Sequence, residues 1–341
     1  MEAETFANRN VLVTGGGSFI GSHMVEALID AGAHVRVVDN LSSGRIEYLR
    51  NYIDPGAIEF VESDLKDPTA AREATRDVEF AFHLAADHGG RGYIETHESA
   101  CASNVLLDST VFEACARSGV KRVVFASSGC IYPANLQGDA KRIVKLREDE
   151  AGPPYDPDGI YGWAKLTGEK TLAAYGRDHG MDTVSCRYFT AYGPRATESH
   201  AVIAMIARAF VGQDPFEVWG TGEQVRNWTY VSDIVSGTLA AAARGHSGEA
   251  YNVGTMEGTR VIDAARMVLE RAGLDTGIRT LPDKPTGPYY RICDNAKLRN
   301  HCGWSPQVAF ADGLARTMDW YFETRTPAEV RERLPELLME R

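Results

Sequence analysis

An apolar, β-prone run from Val11 to Thr14 leads without a break into Gly15-Gly16-Gly17-Ser18-Phe19-Ile20-Gly21, and a helical pattern begins directly after it. A glycine-rich turn between a strand and a helix lets the backbone pass close to a phosphate. The helix amino terminus then faces that phosphate with free N–H groups and the positive end of its dipole. The following sequence fits the unit that this turn opens. Short β-rich runs at 34–39, 58–61, 80–84, 122–126 and 183–189 alternate with helical patterns. That alternation predicts an α/β fold, a doubly wound parallel sheet with helices on both faces. Between the first two runs, Val25, Leu28 and Ile29 share one helical face, and Gly32 follows as a stop signal.

Asp39 closes the second run at about the twenty-residue offset expected of a carboxylate that holds a ribose. Such a carboxylate accepts hydrogen bonds from both ribose hydroxyls and repels a 2′-phosphate, so the dinucleotide expected here is NAD rather than NADP. After Gly193-Pro194 the elements shorten and turn residues become more frequent, which predicts a smaller α/β substrate-binding lobe. The expected division is 1–195 for the dinucleotide-binding (Rossmann) part, with a return segment at about 230–255, and 196–229 with 256–341 for the lobe.

Composition narrows the partners. The chain of 341 residues is 44% hydrophobic and can bury a large core. Its net charge of −11, with no lysine- or arginine-dense run, argues against nucleic acid or an anionic membrane surface as the main partner. An anionic ligand must then be gripped by a few placed groups. No run of eighteen apolar residues occurs, and the first residues lack the basic region and apolar run of a secretory signal, so the cytoplasm is the expected location. Cys101, Cys115, Cys130, Cys186, Cys293 and Cys302 show no zinc-site spacing and read as reduced, mostly buried thiols.

The segment Thr14 to Gly21 resembles the TGxxGFIG loop of the extended short-chain dehydrogenases/reductases, and the resemblance spans nearly the whole chain. In that family the glycine-loop residues Gly15, Ser18, Phe19, Ile20 and Gly21 would hold the cofactor, with Asp39 and Asn40 on its adenosine ribose. Asp64-Leu65 resembles the adenine-contacting pair, Leu84-Ala85-Ala86 the loop beneath the cofactor, and Tyr188 adds a further cofactor contact. One departure is visible: the family usually has glycine where this chain has Ser18. The backbone there must avoid a glycine-only conformation or tolerate strain.

Tyr161 and Lys165 open a helical pattern with the i,i+4 spacing that puts both side chains on one face. An ammonium near a phenol lowers the phenol's pKa, making a phenolate base that takes a hydroxyl proton while the carbon gives hydride to NAD. Ser128, in the stretch from Phe125 to Pro133, resembles the family's serine that orients substrate and phenolate. The segment from Ala85 to Tyr93, read together with that stretch, looks most like the GDP-mannose 3,5-epimerases. That likeness makes Cys130 one of two acid/base groups and gives Asp87, Gly89 and Gly90 to the substrate. The second such group is a lysine in that family, and His200 falls on its position here. Trp219 and Arg226 lie in the stretch that resembles the family's grip on a nucleotide diphosphate, and Arg291 is a second arginine from the same lobe.

The resemblance therefore implies an NAD-dependent nucleotide-sugar epimerase that acts on a nucleotide-diphosphate sugar and pairs as a homodimer through two helices beside the sheet. A UDP-sugar 4-epimerase is the nearest alternative reading. Dehydratases and decarboxylases of this family usually carry an acidic residue where this chain has Gly129-Cys130. A catalytically silent NAD-binding scaffold is opposed by the presence of Ser128, Tyr161 and Lys165 together.

Overall fold

In the computed structural model, which describes residues 2–138 and 143–339, seven strands form one parallel sheet. They are β1 (Asn10–Thr14), β2 (His34–Asp39), β3 (Ile58–Glu62), β4 (Phe80–His83), β5 (Arg122–Ser128), β6 (Asp182–Tyr188) and β7 (Glu249–Val253). Their spatial order is β7-β6-β5-β4-β1-β2-β3. The six runs expected from the sequence are the first six of these strands. The seventh comes from the return segment and lies in register beside β6, Tyr251 opposite Cys186. The inner strands β1, β5 and β6 are buried along nearly their whole length. A parallel sheet covered on both faces requires this, because the crossover helices pack on either side.

The helix after the glycine turn, α1 (Phe19–Asp30), begins six residues before the apolar face that marks it in the sequence. Gly21, Ser22 and His23 interrupt the periodicity there without breaking the helix. Met24, Val25 and Leu28 are its buried face, and Gly32 ends it at φ +76°. On the opposite face of the sheet lie α2 (Asn104–Ser118) and α3 (Gly159–His179), packed against each other. Beyond β6, α4 (Ala201–Phe210) and α5 (Val231–Arg244) join a core that runs continuously from Val11 and Val37 to Ile203, Val268 and Leu334.

The smaller sheets are built differently from the sequence expectation in one respect. Strand Val225–Arg226 lies between Thr259–Arg260 and Tyr290–Cys293, and the last of these pairs with Lys145–Leu146. A two-residue strand from within the first 195 residues thus joins a sheet otherwise made by later segments. Its burial pattern, exposed then buried, is too short to register as periodicity. The strand order reverses direction between β1 and β4, and a crevice opens outside the carboxyl ends of the strands at that point.

Candidate active site

The crevice, of about 350 Å³, is lined from the sheet by residues that follow β1, β4, β5 and β6, and from the other side by the segments 199–228 and 285–291. At its first end, Gly15 has φ +69°, and a Cβ on it would fall 2.8 Å from the backbone of Ala85. A Cβ on Gly21 would fall 2.1 Å from the Gly15 carbonyl oxygen, so only glycine lets the turn fold onto its own helix. Ser18 carries no strain. It sits in extended backbone at φ −82°, ψ 178°, and its hydroxyl donates to the Gly15 carbonyl at 2.6 Å, tying the turn shut. Ser18, Phe19 and Ile20 face the crevice at the start of α1.

Asp39, 7% exposed at the end of β2, accepts the Gly17 N–H and the Leu41 N–H, both at 2.8 Å. Asn40 is exposed and accepts from Ser42. Asp64 follows β3 and accepts the Lys66 N–H, and Leu65 is buried. These four lie at the outer strand ends, beyond the lining of the crevice. Leu84 and Ala86 line it, and Ala85 is fixed by an N–H bond to the Thr14 hydroxyl at 3.1 Å.

At the chemical end, Tyr161 and Lys165 project from the first turns of α3 toward Ser128 and Cys130 at the end of β5, all four lining the crevice. Ser128 hydrogen-bonds Tyr161 through its hydroxyl and also accepts the Cys130 N–H at 3.1 Å. Burial pushes the Tyr161 phenol up from its ordinary value, with Cys130, Cys101 and Asp108 adding to the rise and the Ser128 hydrogen bond opposing it. The expectation that the Lys165 ammonium brings the phenol down is not met. Lys165 is itself 1% exposed and pushed down by burial, against the pull of Asp108. Its Nζ sits 4.6 Å from the Phe125 ring centroid and 6.0 Å from that of Tyr161.

The Cys130 thiol, 8% exposed, accepts from Arg291 Nη1 at 3.1 Å. Arg291 also donates to Gln137 Oε1 at 2.9 Å and to Asp158 Oδ2 at 2.6 Å. Asp158 in turn takes Arg91 at 2.8 Å, and these two guanidinium groups hold its carboxyl below the usual value in spite of burial. Arg291 is thus committed to the thiol and to Asp158. Arg291 lines the crevice, where the sequence reading offers it as a second arginine for a diphosphate, with its cation shared with a carboxylate. Asp87, given to the substrate by the sequence reading, lies outside the crevice lining, and its carboxylate accepts the Tyr93 hydroxyl at 2.8 Å; its neighbours His88, Gly89 and Gly90 do line it.

Arg226 also lines the crevice. Among the described residues it bonds no carboxylate and donates to the carbonyls of Val225, Tyr289 and Thr286. Burial and the nearby Arg291 and Arg91 charges push its pKa down to about 9. Arg208 on α4, 4% exposed, has among the described residues no hydrogen-bond partner for Nε, lies 5.8 Å from the Trp219 ring centroid, and is pushed down to about 10 by burial against the pull of Glu217. Two poorly compensated cations on one wall make a receptor for an anion. His200 precedes α4 with Nδ1 3.1 Å from the Thr197 hydroxyl, and burial pushes its imidazole below the usual value. Tyr188, at the end of β6, lines the crevice with its hydroxyl accepting from Thr238.

The model of the NAD dependent epimerase/dehydratase family matches residues 11–254. The chain belongs to that family. It is 31% identical over 318 residues to GDP-mannose 3,5-epimerase 1 of Oryza sativa subsp. indica, covering 92% of this chain and 82% of that one. Among solved structures it superposes on UDP-glucose 4-epimerase of Thermotoga maritima, solved with UDP-glucose, at a TM-score of 0.83 and 31% identity, covering 92% and 99% of the two chains. It superposes equally on the UDP-glucose 4-epimerase of Thermus thermophilus in complex with NAD, at a TM-score of 0.81 and 30% identity, covering 93% and 100%.

The cofactor of this family is NAD, and the residues present fit it. The turn closed by Gly15 and Gly21 presents the amino terminus of α1, and Asp39 holds a buried carboxylate at the end of β2, beside that turn. Sequence reasoning missed Arg208, Arg91 and His88 on the crevice wall, and Asp158, which holds Arg91 and Arg291. Arg208 sits inside an apolar helical stretch, Ala201–Phe210, where a single arginine reads as a solvent-facing residue. Asp158 and Arg91 carry no spacing signal, because Asp158 meets Arg91 across 67 residues and Arg291 across 133.

Proposed function

We propose that the enzyme inverts carbons C3 and C5 of a nucleotide-diphosphate sugar, by way of a transient ketone at C4. The observation that carries this reading is the Cys130 thiol in the crevice beside Tyr161 and Ser128, faced by the Arg291 guanidinium at 3.1 Å. A residue that only packs a strand end needs no cation on its sulfur. One that takes a proton from carbon must first be a thiolate, and Arg291 is placed to stabilise that negative charge until the proton arrives.

NAD, when bound, supplies the hydride acceptor and, in its oxidised form, a positively charged ring. Tyr161 takes the C4 hydroxyl proton, Ser128 orients the hydroxyl through its bond to the phenol, and Lys165 brings a buried cation to the same corner. The ketone acidifies the C–H bonds at C3 and C5. Cys130 exchanges a proton at one of these carbons, and an imidazole from the opposite wall does so on the other side. Arg226, Arg208 and Trp219 grip the diphosphate and its nucleoside, and the residues that supply them, 196–229 and 256–341, act as the substrate lobe. Leu106 and Trp163, 57% and 45% exposed on α2 and α3, form an apolar face suited to a second copy of the chain. In deuterated water the enzyme should place solvent deuterium on C3 or C5 of GDP-mannose, UDP-glucose or UDP-glucuronate. Inversion at C4 alone, with no deuterium on carbon, would instead establish a 4-epimerase, which returns the same hydride.

A further inference from the structure

Two imidazoles stand in the crevice, from different loops. His88, on the loop after β4, has its ring centroid 6.4 Å from that of Tyr161, and His200, just before α4, has its ring 6.1 Å from that of His88. Contacts therefore run from the phenol to His88 and from His88 to His200. The two loops are locked together beside these rings. The Gly90 N–H donates to the Ser199 hydroxyl, and a Cβ on Gly90 would fall 1.8 Å from the Ser199 carbonyl oxygen. The Ser199 hydroxyl lies 3.0 Å from that of Thr197, which holds His200 Nδ1. Any sugar whose C4 hydroxyl meets Tyr161 carries C3 and C5 one bond away from that point. Of the two imidazoles, His88 is the one in ring contact with the phenol.

We infer that His88 is the imidazole that exchanges a proton with the sugar ring, and that His200 stands behind it as a positioning residue. This rests on the 3,5-epimerase reading. In the step, a C–H bond beside the C4 ketone breaks as its proton passes to the Cys130 thiolate, and the bonding pair moves into the ring, leaving the C4 oxygen as an enolate. The pair returns to carbon from the other side as protonated His88 gives up its proton, which forms the inverted C–H bond and leaves neutral imidazole. Solvent then takes the proton from Cys130 and returns one to His88, so no further oxidant or reductant is needed.

The test uses the whole enzyme with GDP-mannose in deuterated water and reads two signals, reduced cofactor after mixing and deuterium on C3 or C5. His88→Gln should lose carbon exchange on the order of 10²-fold while cofactor reduction persists, which a misfolded variant could not show. Added imidazole should restore part of the exchange in His88→Ala. His200→Gln should lose on the order of tenfold, with no rescue by imidazole. Exchange at the wild-type rate in His88→Gln, or a greater loss in His200→Gln than in His88→Gln, would overturn the assignment of His88 and leave the epimerase reading intact. Inversion at C4 without deuterium in the wild type would overturn that reading and this inference with it.

Discussion

Arg208 carries a positive charge into the apolar face of α4 and, among the described residues, has no carboxylate bonded to it and no acceptor for its buried Nε. An unsatisfied buried donor costs roughly 1–3 kcal/mol. A chain that keeps one in a ligand crevice gives up stability for binding. Arg208→Met, which keeps the length of the side chain, should therefore raise the melting temperature of the enzyme without substrate by about 2–4 °C. It should also weaken binding of a nucleoside diphosphate by about 10–100-fold, the worth of one charge-assisted hydrogen bond. Calorimetry and thermal melts on the same preparations read both, and a variant that melts lower yet binds as well would show that Arg208 is structural. The same residue marks the limit of what the sequence conveys at this scale. Tyr161, Lys165, Ser128 and Cys130 are legible because each sits in a short motif. Arg208 and Arg91 are not, since their meaning depends on which wall of the crevice the chain folds them into. Lys165 is legible in position but not in effect: its spacing from Tyr161 is helical, while burial decides where both protonation equilibria lie.

Strand ends are the elements that assemble the cofactor side, and they were read from the sequence almost residue for residue. Alternation of buried runs with helical patterns survives in any parallel sheet covered on both faces. The start of α1 and the short strand Lys145–Leu146 were not legible, because glycine and serine in the one and a length of two residues in the other erase periodicity. At the end of β2, Asp39 accepts the Gly17 N–H that shapes the glycine turn, and the family resemblance gives the same carboxylate to a ribose. NAD should consequently bind more tightly than NADP, whose 2′-phosphate would meet that negative charge. Asp39→Asn removes the charge and keeps one acceptor for the turn, so the preference should shrink by about tenfold or more, corresponding to about 1.4 kcal/mol. Fluorescence titration with both dinucleotides measures it, and tighter NADP binding by the wild type would contradict the assignment of Asp39.

The proposed function places hydride chemistry and carbon-proton chemistry in one crevice, the first at the residues after β1 and the start of α3, the second at the loops after β4 and β5 and the segment before α4. The apolar face of α2 and α3 lies outside this crevice, so pairing through it would leave the site open. Under the proposed pairing, wild type should sediment as a dimer and Leu106→Glu as a monomer that still binds cofactor; a wild-type monomer, or a dimer in both proteins, would remove that face as the interface. The division of labour within the crevice is tested most directly by comparing wild type and Cys130→Ala in deuterated water, with NMR following deuterium on the sugar carbons and absorbance following reduced cofactor. Wild type should carry deuterium at C3 or C5, and Cys130→Ala should lose it on the order of 10²-fold while Tyr161-dependent cofactor reduction continues, because a thiol that acts on carbon is not needed for hydride transfer. Equal deuterium in both proteins, or none in the wild type, would contradict a thiol that inverts carbon.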